Sequence, residues 1–342
     1  MIVTKRHVTG YKEEVMDTIE NKEVVLSVRN MIKDFPIGKS GSKNQYMRAV
    51  NDVSFDLRKG EALAIVGESG SGKSTGARIL TRIYDQTDGN IFFKGQPLHE
   101  YTEEHGSLEY ARQVQMIFQD PFGSLNPVHN IFHHIARPLL IHNRASKNAV
   151  TKLVYELLEM VGLNPAVETA EKYPHQLSGG QRQRVAIARA IAVSPEVILA
   201  DEPISMLDVS VRLGILNLMS DLKDKHGISF MYITHDIATA RYFAEKTAVM
   251  YVGHMVEWGN SDKVTQTPQH PYTQLLLSAV PEPGKAGRRE LSAKKGEIPL
   301  WKPDSIGCPF AARCPKATDQ CTKSMPFITQ ISEDHFIRCH HI

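Results

Sequence analysis

The sequence predicts an α/β fold around a largely parallel sheet, and three observations predict it. The apolar run Ala62–Val66 delivers the chain into the glycine-rich segment Gly67-Glu-Ser-Gly-Ser-Gly-Lys-Ser-Thr75, after which helical spacing begins. Two further unbroken apolar runs, Val197–Ala200 and Ile228–Ile233, have the character of central strands buried on both faces. Between them Val211, Leu213, Ile215, Leu216, Leu218 and Leu222 recur at helical spacing, so Val209–Lys225 is the helix of a right-handed crossover.

The remaining elements follow in chain order. Val24–Arg29 and Val50–Leu57 are rich in β-formers, and the second alternates through Val53, Phe55 and Leu57, which predicts strands of an antiparallel entry sheet. Lys59-Gly60 is a turn before the strand Ala62–Val66, and the helix after the glycine loop is expected from Ser74 to about Tyr84. Asp85–Gly89 breaks the pattern, and Ile91–Gly95 reads as another hairpin strand. From roughly 125 to 192 the pattern is helical. Leu153, Val154, Leu157, Leu158 and Val161 form a one-sided stripe closed by Gly162 and Pro165, so this stretch is a helical insert. Beyond about 281, Pro281, Pro283, Gly284, Gly287 and the pairs Arg288-Arg289 and Lys294-Lys295 predict an exposed linker.

Composition bounds the function. The 342 residues are 42% hydrophobic and 23% charged with a net charge of +2, enough for a full core but without a basic field that would make nucleic acid the main partner. No apolar stretch approaches the roughly 20 residues a membrane span requires. Met1–Asn21 is too polar for a secretory signal, so the chain is expected in the cytosol. All four cysteines fall at 308, 314, 321 and 339, which suggests a local device rather than a disulfide framework.

The chemistry begins at the glycine loop. Gly67, Gly70 and Gly72 let successive backbone N–H groups face an anion at a helix N-terminus; Lys73 adds a mobile cation and Ser74 a hydroxyl for Mg2+. Ser69 and Thr75 complete the phosphate-binding set. Such a loop fits kinases, GTPases and many motors. Asp201 ends an apolar strand, where its carboxylate can hold a magnesium shell, and Glu202 can polarise an attacking water. Leu177-Ser-Gly-Gly-Gln181 opens a second helix, so Ser178, Gly179, Gly180 and Gln181 can present N–H groups, a hydroxyl and a positive helix end to another phosphate. Two phosphate-binding surfaces in one chain make sense if they meet across a dimer. His129 and His133 have the i, i+4 spacing of a helical metal pair, but no accompanying Glu, so polar contact roles are expected for them.

Taken together, these motifs resemble the nucleotide-binding subunit of an ATP-binding cassette (ABC) transporter, from about residue 24 to 265. The resemblance implies a cassette with a RecA-like parallel core, an antiparallel β subdomain and a helical subdomain at about 125–192. It divides the chain into a tail at 1–21, an ATPase domain at 22–265 and an extension at 266–342. Gln119, in Ile117-Phe-Gln-Asp120, matches the family's Q-loop and is a further Mg2+ contact; His235, in Ile233-Thr-His-Asp236, matches the switch histidine; Asp208, in Ser205-Met-Leu-Asp208, matches the D-loop. Met206 is larger than the small residue common there. Phe35 is the implied adenine-stacking aromatic, with Tyr46 as the other candidate. By the same resemblance two cassettes close head to tail over ATP, each Lys73 loop facing a Ser178 loop, and Asp120–Pro127 with the helix after it contacts the membrane subunits.

The tail narrows the family. Gly307-Cys-Pro-Phe-Ala-Ala-Arg-Cys-Pro315, with His270-Pro-Tyr-Thr273 and Ala279-Val-Pro281, is similar to the C-terminal extension of oligopeptide and dipeptide permease ATPases. Some relatives hold a [4Fe–4S] cluster there, which Cys308, Cys314, Cys321 and Cys339 would suit. Four free thiols is the other reading, and His340 could replace a ligand. The resemblance implies an importer of peptides, or of related solutes such as oligosaccharides, with two membrane permease subunits, an external or periplasmic solute-binding protein and a second ATPase, identical or related. Its place is the cytoplasmic face of the cell membrane, as a peripheral subunit. The alternative is a soluble ABC-type ATPase uncoupled from transport, for which neither a second cassette nor a long coiled coil is visible.

Overall fold

The computed structural model describes residues 22–40, 43–279 and 298–342; the expected tail at 1–21 and the linker features from Pro281 to Lys295 lie outside them. The first strands, β1 (Val24–Ser40) and β2 (Lys43–Arg58), are antiparallel and much longer than the runs of β-formers that predicted them. Register shifts between Val28 and Met31 and between Pro36 and Gly38 bend the pair, which lets it continue through polar residues. Lys59-Gly60 turns the chain into β3 (Ala62–Val66), and the glycine loop leads to helix α1 (Lys73–Leu80). That helix stops short of Tyr84 because Arg82 takes a left-handed conformation, φ 58°, and Tyr84 turns back against Phe35, ring centroids 5.4 Å apart.

Strands β4 (Asp88–Phe93) and β5 (Gln96–Pro97) complete a four-stranded antiparallel sheet in the order β2-β1-β4-β5. Helices α2 (Leu98–His105) and α3 (Ser107–Gln113), for which sequence reading made no case, then lead into β6 (Val114–Ile117). The helical insert follows as α4 (Ile131–Ile141), α5 (Val150–Met160), α6 (Ala166–Glu171) and α7 (Gly179–Ile191). The predicted stripe lies on α5, where Val154, Leu158 and the adjoining Val161 are buried and Leu153 and Leu157 partly so. Gly162, φ 75°, ends it.

The crossover is as expected: β7 (Val197–Asp201), α8 (Val209–His226) and β8 (Ser229–Thr234), with β7 and β8 parallel neighbours from Val197↔Ser229 to Asp201↔Ile233. After α9 (Ile237–Phe243), β9 (Lys246–Tyr251) pairs with β3 in parallel, and β10 (His254–Asn260) turns back antiparallel. Helices α10 (Ser261–Gln266), α11 (Pro271–Ser278) and α12 (Asp319–Lys323) precede a final hairpin, β11 (Ile328–Ser332) and β12 (His335–Arg338). The large sheet runs β11-β12-β10-β9-β3-β8-β7-β6. The extension is therefore woven into the ATPase sheet, since Trp258 and Phe336 are β-partners whose rings stack 5.7 Å apart.

The pleat of β3 decides which side chain serves which core. Ala62, Ala64 and Val66 face the helices with Ile198, Ala200, Phe230 and Tyr232, whereas Leu63 and Ile65 face the antiparallel sheet with Leu199, Met231, Leu26, Val28 and Phe93. Each fully buried aliphatic or aromatic side chain here contributes about 1.5–3 kcal/mol. A charge at Ile65, 1% exposed, would break the inter-sheet layer. Among the described residues no helix is long and apolar enough to cross a membrane.

Candidate nucleotide site

The parallel strands β6, β7, β8 and β3 lie side by side, so the segments leaving their carboxyl ends meet at one edge. Those segments carry Gln119, Asp201 with Glu202, His235 and the Gly67 loop. The structure brings all of them together.

The loop is wedged between two strands, which is why its glycines are required. A Cβ on Gly67 would stand 2.2 Å from the Met250 carbonyl oxygen, and one on Gly72 would stand 2.3 Å from that of Ala49. Gly72 is also left-handed, φ 97°, as it opens α1. Gly70, φ 81°, meets nothing, and it forms the exposed crest with Ser69. Lys73 folds back into the loop and donates from Nζ to the carbonyls of Gly67 (2.6 Å) and Glu68 (2.9 Å). Burial holds its pKa below the ordinary lysine value despite the attraction of Glu202, Asp201 and Glu68. An anion in this loop would meet a cation already desolvated and aimed inward. Thr75, the next position but one along α1, is half-buried.

Asp201 is 3% exposed at the end of β7, and its Oδ1 accepts a hydrogen bond from Ser74 Oγ at 2.9 Å. Burial raises the Asp201 pKa, and the Glu202 carboxylate adds to this, while Ser74 and the cations Arg78 and Lys73 oppose it. A buried carboxylate beside a hydroxyl is a hard-oxygen donor set that suits Mg2+. Glu202 Oε2 accepts from Gln119 Nε2 at 3.2 Å and lies 3.2 Å from His235 Nδ1. Gln119 thus stands on the Glu202 side of the cluster. Glu202 itself has φ 45°, a left-handed conformation for a residue with a side chain, held by its N–H donating to the Ile233 carbonyl at 2.9 Å.

The second segment expected to bind phosphate is a helix start of its own. Ser178 caps α7 in a reciprocal box: its Oγ accepts from Gln181 N at 3.3 Å, and Gln181 Oε1 accepts from Ser178 N at 3.0 Å. Gly180 packs against α8 so closely that a Cβ would stand 2.6 Å from Val211 Cγ1. The hydrogen bonds of Ser178 and Gln181 close within this cap rather than reaching the Lys73 cluster. Asp208 is exposed at the start of α8, and Met206 before it is 53% exposed, so its bulk meets solvent rather than a crowded core.

The segment after Gln119 bridges the two surfaces. Arg182 of α7 stacks over Phe122 at 4.1 Å, and Arg189 donates to the Ser124 carbonyl at 2.6 Å, while Phe122 and Val128 stay exposed. His129 and His133 stack at 3.9 Å between ring centroids. Phe35 is half-buried against Tyr84, and Tyr46 is 40% exposed on the neighbouring strand.

The four cysteines are gathered from three separated segments into one region. Cys308 N donates to the Cys321 carbonyl at 2.7 Å, and Cys321 and Cys339 both contact His341. Burial pushes the Cys308 thiol up to about 12, and Cys339, Cys321 and Cys314 add to this. All four are free, and among the described residues no three His, Cys, Asp or Glu side chains converge closely enough to ligate a metal. His340, the other ligand candidate, is bonded to the Ser324 carbonyl.

Sequence reasoning missed two residues that hold the glycine loop. Tyr272 Oη accepts from Glu68 N at 2.9 Å, and Arg313 donates two hydrogen bonds to the Glu68 carboxylate, at 2.7 and 3.0 Å. Tyr272 and Arg313 both lay within motifs already singled out, but nothing in their spacing pointed to residue 68.

Comparison with known proteins agrees with this geometry. The ABC transporter family matches residues 50–205, and the oligopeptide/dipeptide transporter C-terminal region matches residues 256–321. The chain is 42% identical over 327 residues to the oligopeptide transport ATP-binding protein AppF of Bacillus subtilis, covering 94% of this chain and 99% of that protein. It is 40% identical to the dipeptide transport ATP-binding protein DppF of Haemophilus influenzae, covering 95% and 98%. Among solved structures it is similar to a dimeric ATP-binding cassette in a post-hydrolysis state bound to ADP and Pi, with a TM-score of 0.60, 30% identity and coverage of 69% and 98%. A second neighbour, cbiO1 of Clostridium perfringens from the cbiONQ ABC transporter complex, gives a TM-score of 0.61 at 25% identity, covering 72% and 92%.

Proposed function

Because the chain belongs to the ABC transporter ATP-binding proteins, we propose that it hydrolyses ATP to energise a membrane importer of di- or oligopeptides. The single observation that carries the catalytic part is the meeting of Gln119, Glu202 and His235 on one carboxylate oxygen, beside the Ser74–Asp201 pair and the Lys73 loop. The cargo class rests on the peptide-transport names of relatives that align along nearly their whole length.

In this reading the N–H groups of Ser69–Thr75 and the Lys73 ammonium take the polyphosphate, and Lys73 exchanges its two carbonyl partners for phosphate oxygens. Ser74, Asp201 and Gln119 would hold Mg2+, which supplies charge neutralisation on the transferred phosphoryl group. Glu202 orients and polarises the attacking water, and His235 senses the terminal phosphate from the same carboxylate. Phe35 provides the adenine platform. Ser178–Gln181 and Asp208 act on the nucleotide of a partner cassette, identical or related, because the hydrogen bonds of Ser178 and Gln181 close away from this chain's own loop and Asp208 is exposed. Asp120–Pro127 and α4 face two permease subunits, since Phe122 is exposed there and joins that segment to α7 through Arg182. A solute-binding protein delivers the peptide on the far side of the membrane, and this subunit works peripherally on the cytoplasmic face.

We place the ATPase domain at 22–265 and the extension at 266–342, with β12 of the extension paired to β10 of the ATPase sheet. Four thiolates are the donor type a [4Fe–4S] cluster takes. Among the described residues, however, the extension's thiols do not converge as ligands, and burial holds Cys308, Cys314 and Cys339 towards the protonated form, so the arrangement favours four structural thiols. Metal-free protein after anaerobic purification is the outcome this arrangement predicts; bound iron and sulfide with broad visible absorption would show a cluster instead. The ATPase reading is tested with the purified chain: ATP hydrolysis that needs Mg2+ and is abolished by Lys73→Ala is expected. Hydrolysis that survives that change would refute it.

A further inference from the structure

We propose that Arg313, in the C-terminal extension, is a positioning residue for nucleotide binding: it neutralises the one carboxylate inside the phosphate loop and fixes the peptide against which Lys73 is parked. The inference rests on the reading of that loop as an ATP site.

Every polar group of Glu68 is engaged. Its N–H donates to Tyr272 Oη at 2.9 Å, and its carbonyl accepts from Lys73 Nζ at 2.9 Å and from Ser71 N at 3.2 Å. Its carboxylate takes both terminal nitrogens of Arg313, Nη1 to Oε2 at 2.7 Å and Nη2 to Oε1 at 3.0 Å. This two-bond geometry belongs to arginine; a lysine ammonium cannot reproduce it.

The arginine is itself held in place. Its N–H, and that of Cys314, donate to the carbonyl of Phe310, which is 1% exposed. Nη1 also reaches Tyr251 Oη at 3.3 Å, and the guanidinium lies 5.7 and 5.8 Å from the Tyr251 and Phe310 rings. Tyr251, Tyr272 and Phe310 contact one another at centroid separations of 4.6 to 5.4 Å, so both clamps on Glu68 stand on one aromatic cluster. The Arg313 side chain is 14% exposed and that of Glu68 30%, which leaves the pair only partly screened.

The consequence is electrostatic as well as steric. A free carboxylate one residue from Gly67 would repel a polyphosphate seated on the loop, and the repulsion would grow with the ligand's charge. Arg313 cancels that charge. It also keeps the Glu68 carbonyl where Lys73 can leave it for a phosphate oxygen without the loop reorganising.

The test measures ATP and ADP affinity of the full chain with Mg2+ at low and high salt. Arg313→Ala is expected to weaken ATP binding about tenfold, ADP binding less, with the difference shrinking in high salt. Arg313→Lys should fall between, and adding Glu68→Gln to Arg313→Ala should restore most of the affinity. Unchanged ATP affinity in Arg313→Ala would overturn the proposal. So would an equal loss for both nucleotides that Glu68→Gln does not restore, because that is what a merely structural arginine would show. If Arg313→Ala does not fold, the single variants decide: Glu68→Gln should bind ATP at least as tightly as the native chain and Arg313→Lys more weakly, and the reverse order defeats the idea. A native chain that binds no ATP would instead sink the reading of the site itself.

Discussion

His235 Nδ1 stands 3.2 Å from Glu202 Oε2, joining the ends of the neighbouring parallel strands β8 and β7. Gln119, at the end of β6 on the other side, reaches the same oxygen. One carboxylate therefore joins three adjacent strand ends, and the segment after Gln119 touches α7 through Phe122 and Arg182.

Glu202→Gln keeps the shape of this junction and removes its basicity. Turnover is expected to fall roughly 100-fold or more while ATP stays bound. Phosphate release, read beside the nucleotide-dependent dimer in size-exclusion chromatography, checks this; near-normal turnover would remove Glu202 from the reaction.

The backbone at Glu202 carries a second, separable effect. With φ 45°, glycine should be easier to accommodate than alanine, so Glu202→Gly is expected to be more stable than Glu202→Ala by about 1 kcal/mol although both are inactive. Paired thermal or denaturant melts decide it. Equal stabilities would show that the local backbone relaxes.

The glycines of the phosphate loop should not be equivalent. Gly67→Ala places a Cβ 2.2 Å from the Met250 carbonyl and is expected to cost more than 2 kcal/mol, or about the upper range of ordinary substitutions, together with nucleotide binding. Gly70→Ala meets open space and should cost only about 1 kcal/mol for its left-handed backbone. Melting curves of the two variants test the ranking.

Acid should destabilise the protein through two buried histidines. Val252 O accepts from His254 Nδ1 at 2.6 Å, leaving Nε2 to accept from Asn51 Nδ2 at 2.6 Å, so a proton on Nε2 would set two donors face to face. Burial lowers the pKa of His254 from 6.5 to about 4, and that of the buried His270, whose Nδ1 accepts from Tyr272 N, to about 3. Because the folded values are depressed, the unfolded chain binds more protons below pH 6.5. Stability is complete above that point and is lost as pH falls towards 4 and then 3, by roughly 3 kcal/mol for His254. Melting temperatures across this window should drop, and His254→Gln should flatten the slope; an unchanged slope would place the titration elsewhere.

Local chemistry made much of this protein legible. A strand run, three glycines and a lysine can be recognised from neighbours in the chain, because a phosphate loop is built from consecutive residues, and the same holds for the serine-capped helix at Ser178 and the buried crossover from Val197 to Ile233. Helix α1 ended earlier than its spacing implied because the left-handed Arg82 and the Phe35–Tyr84 contact are long-range outcomes. Helices α2 and α3 were invisible because short, partly exposed helices carry too few periods to stand out.

What lay beyond the linear pattern is whatever depends on residues distant in the chain. Motif chemistry is short-range and survives in the order of residues, so the proposed ATP-site residues could be named before any fold was known. The arginine beside Cys314 meets the phosphate loop from 245 positions away, and the last hairpin completes the sheet through β10. Such contacts follow from strand order and packing, where many sequences offer equivalent local patterns and only the closed core selects which side chains touch.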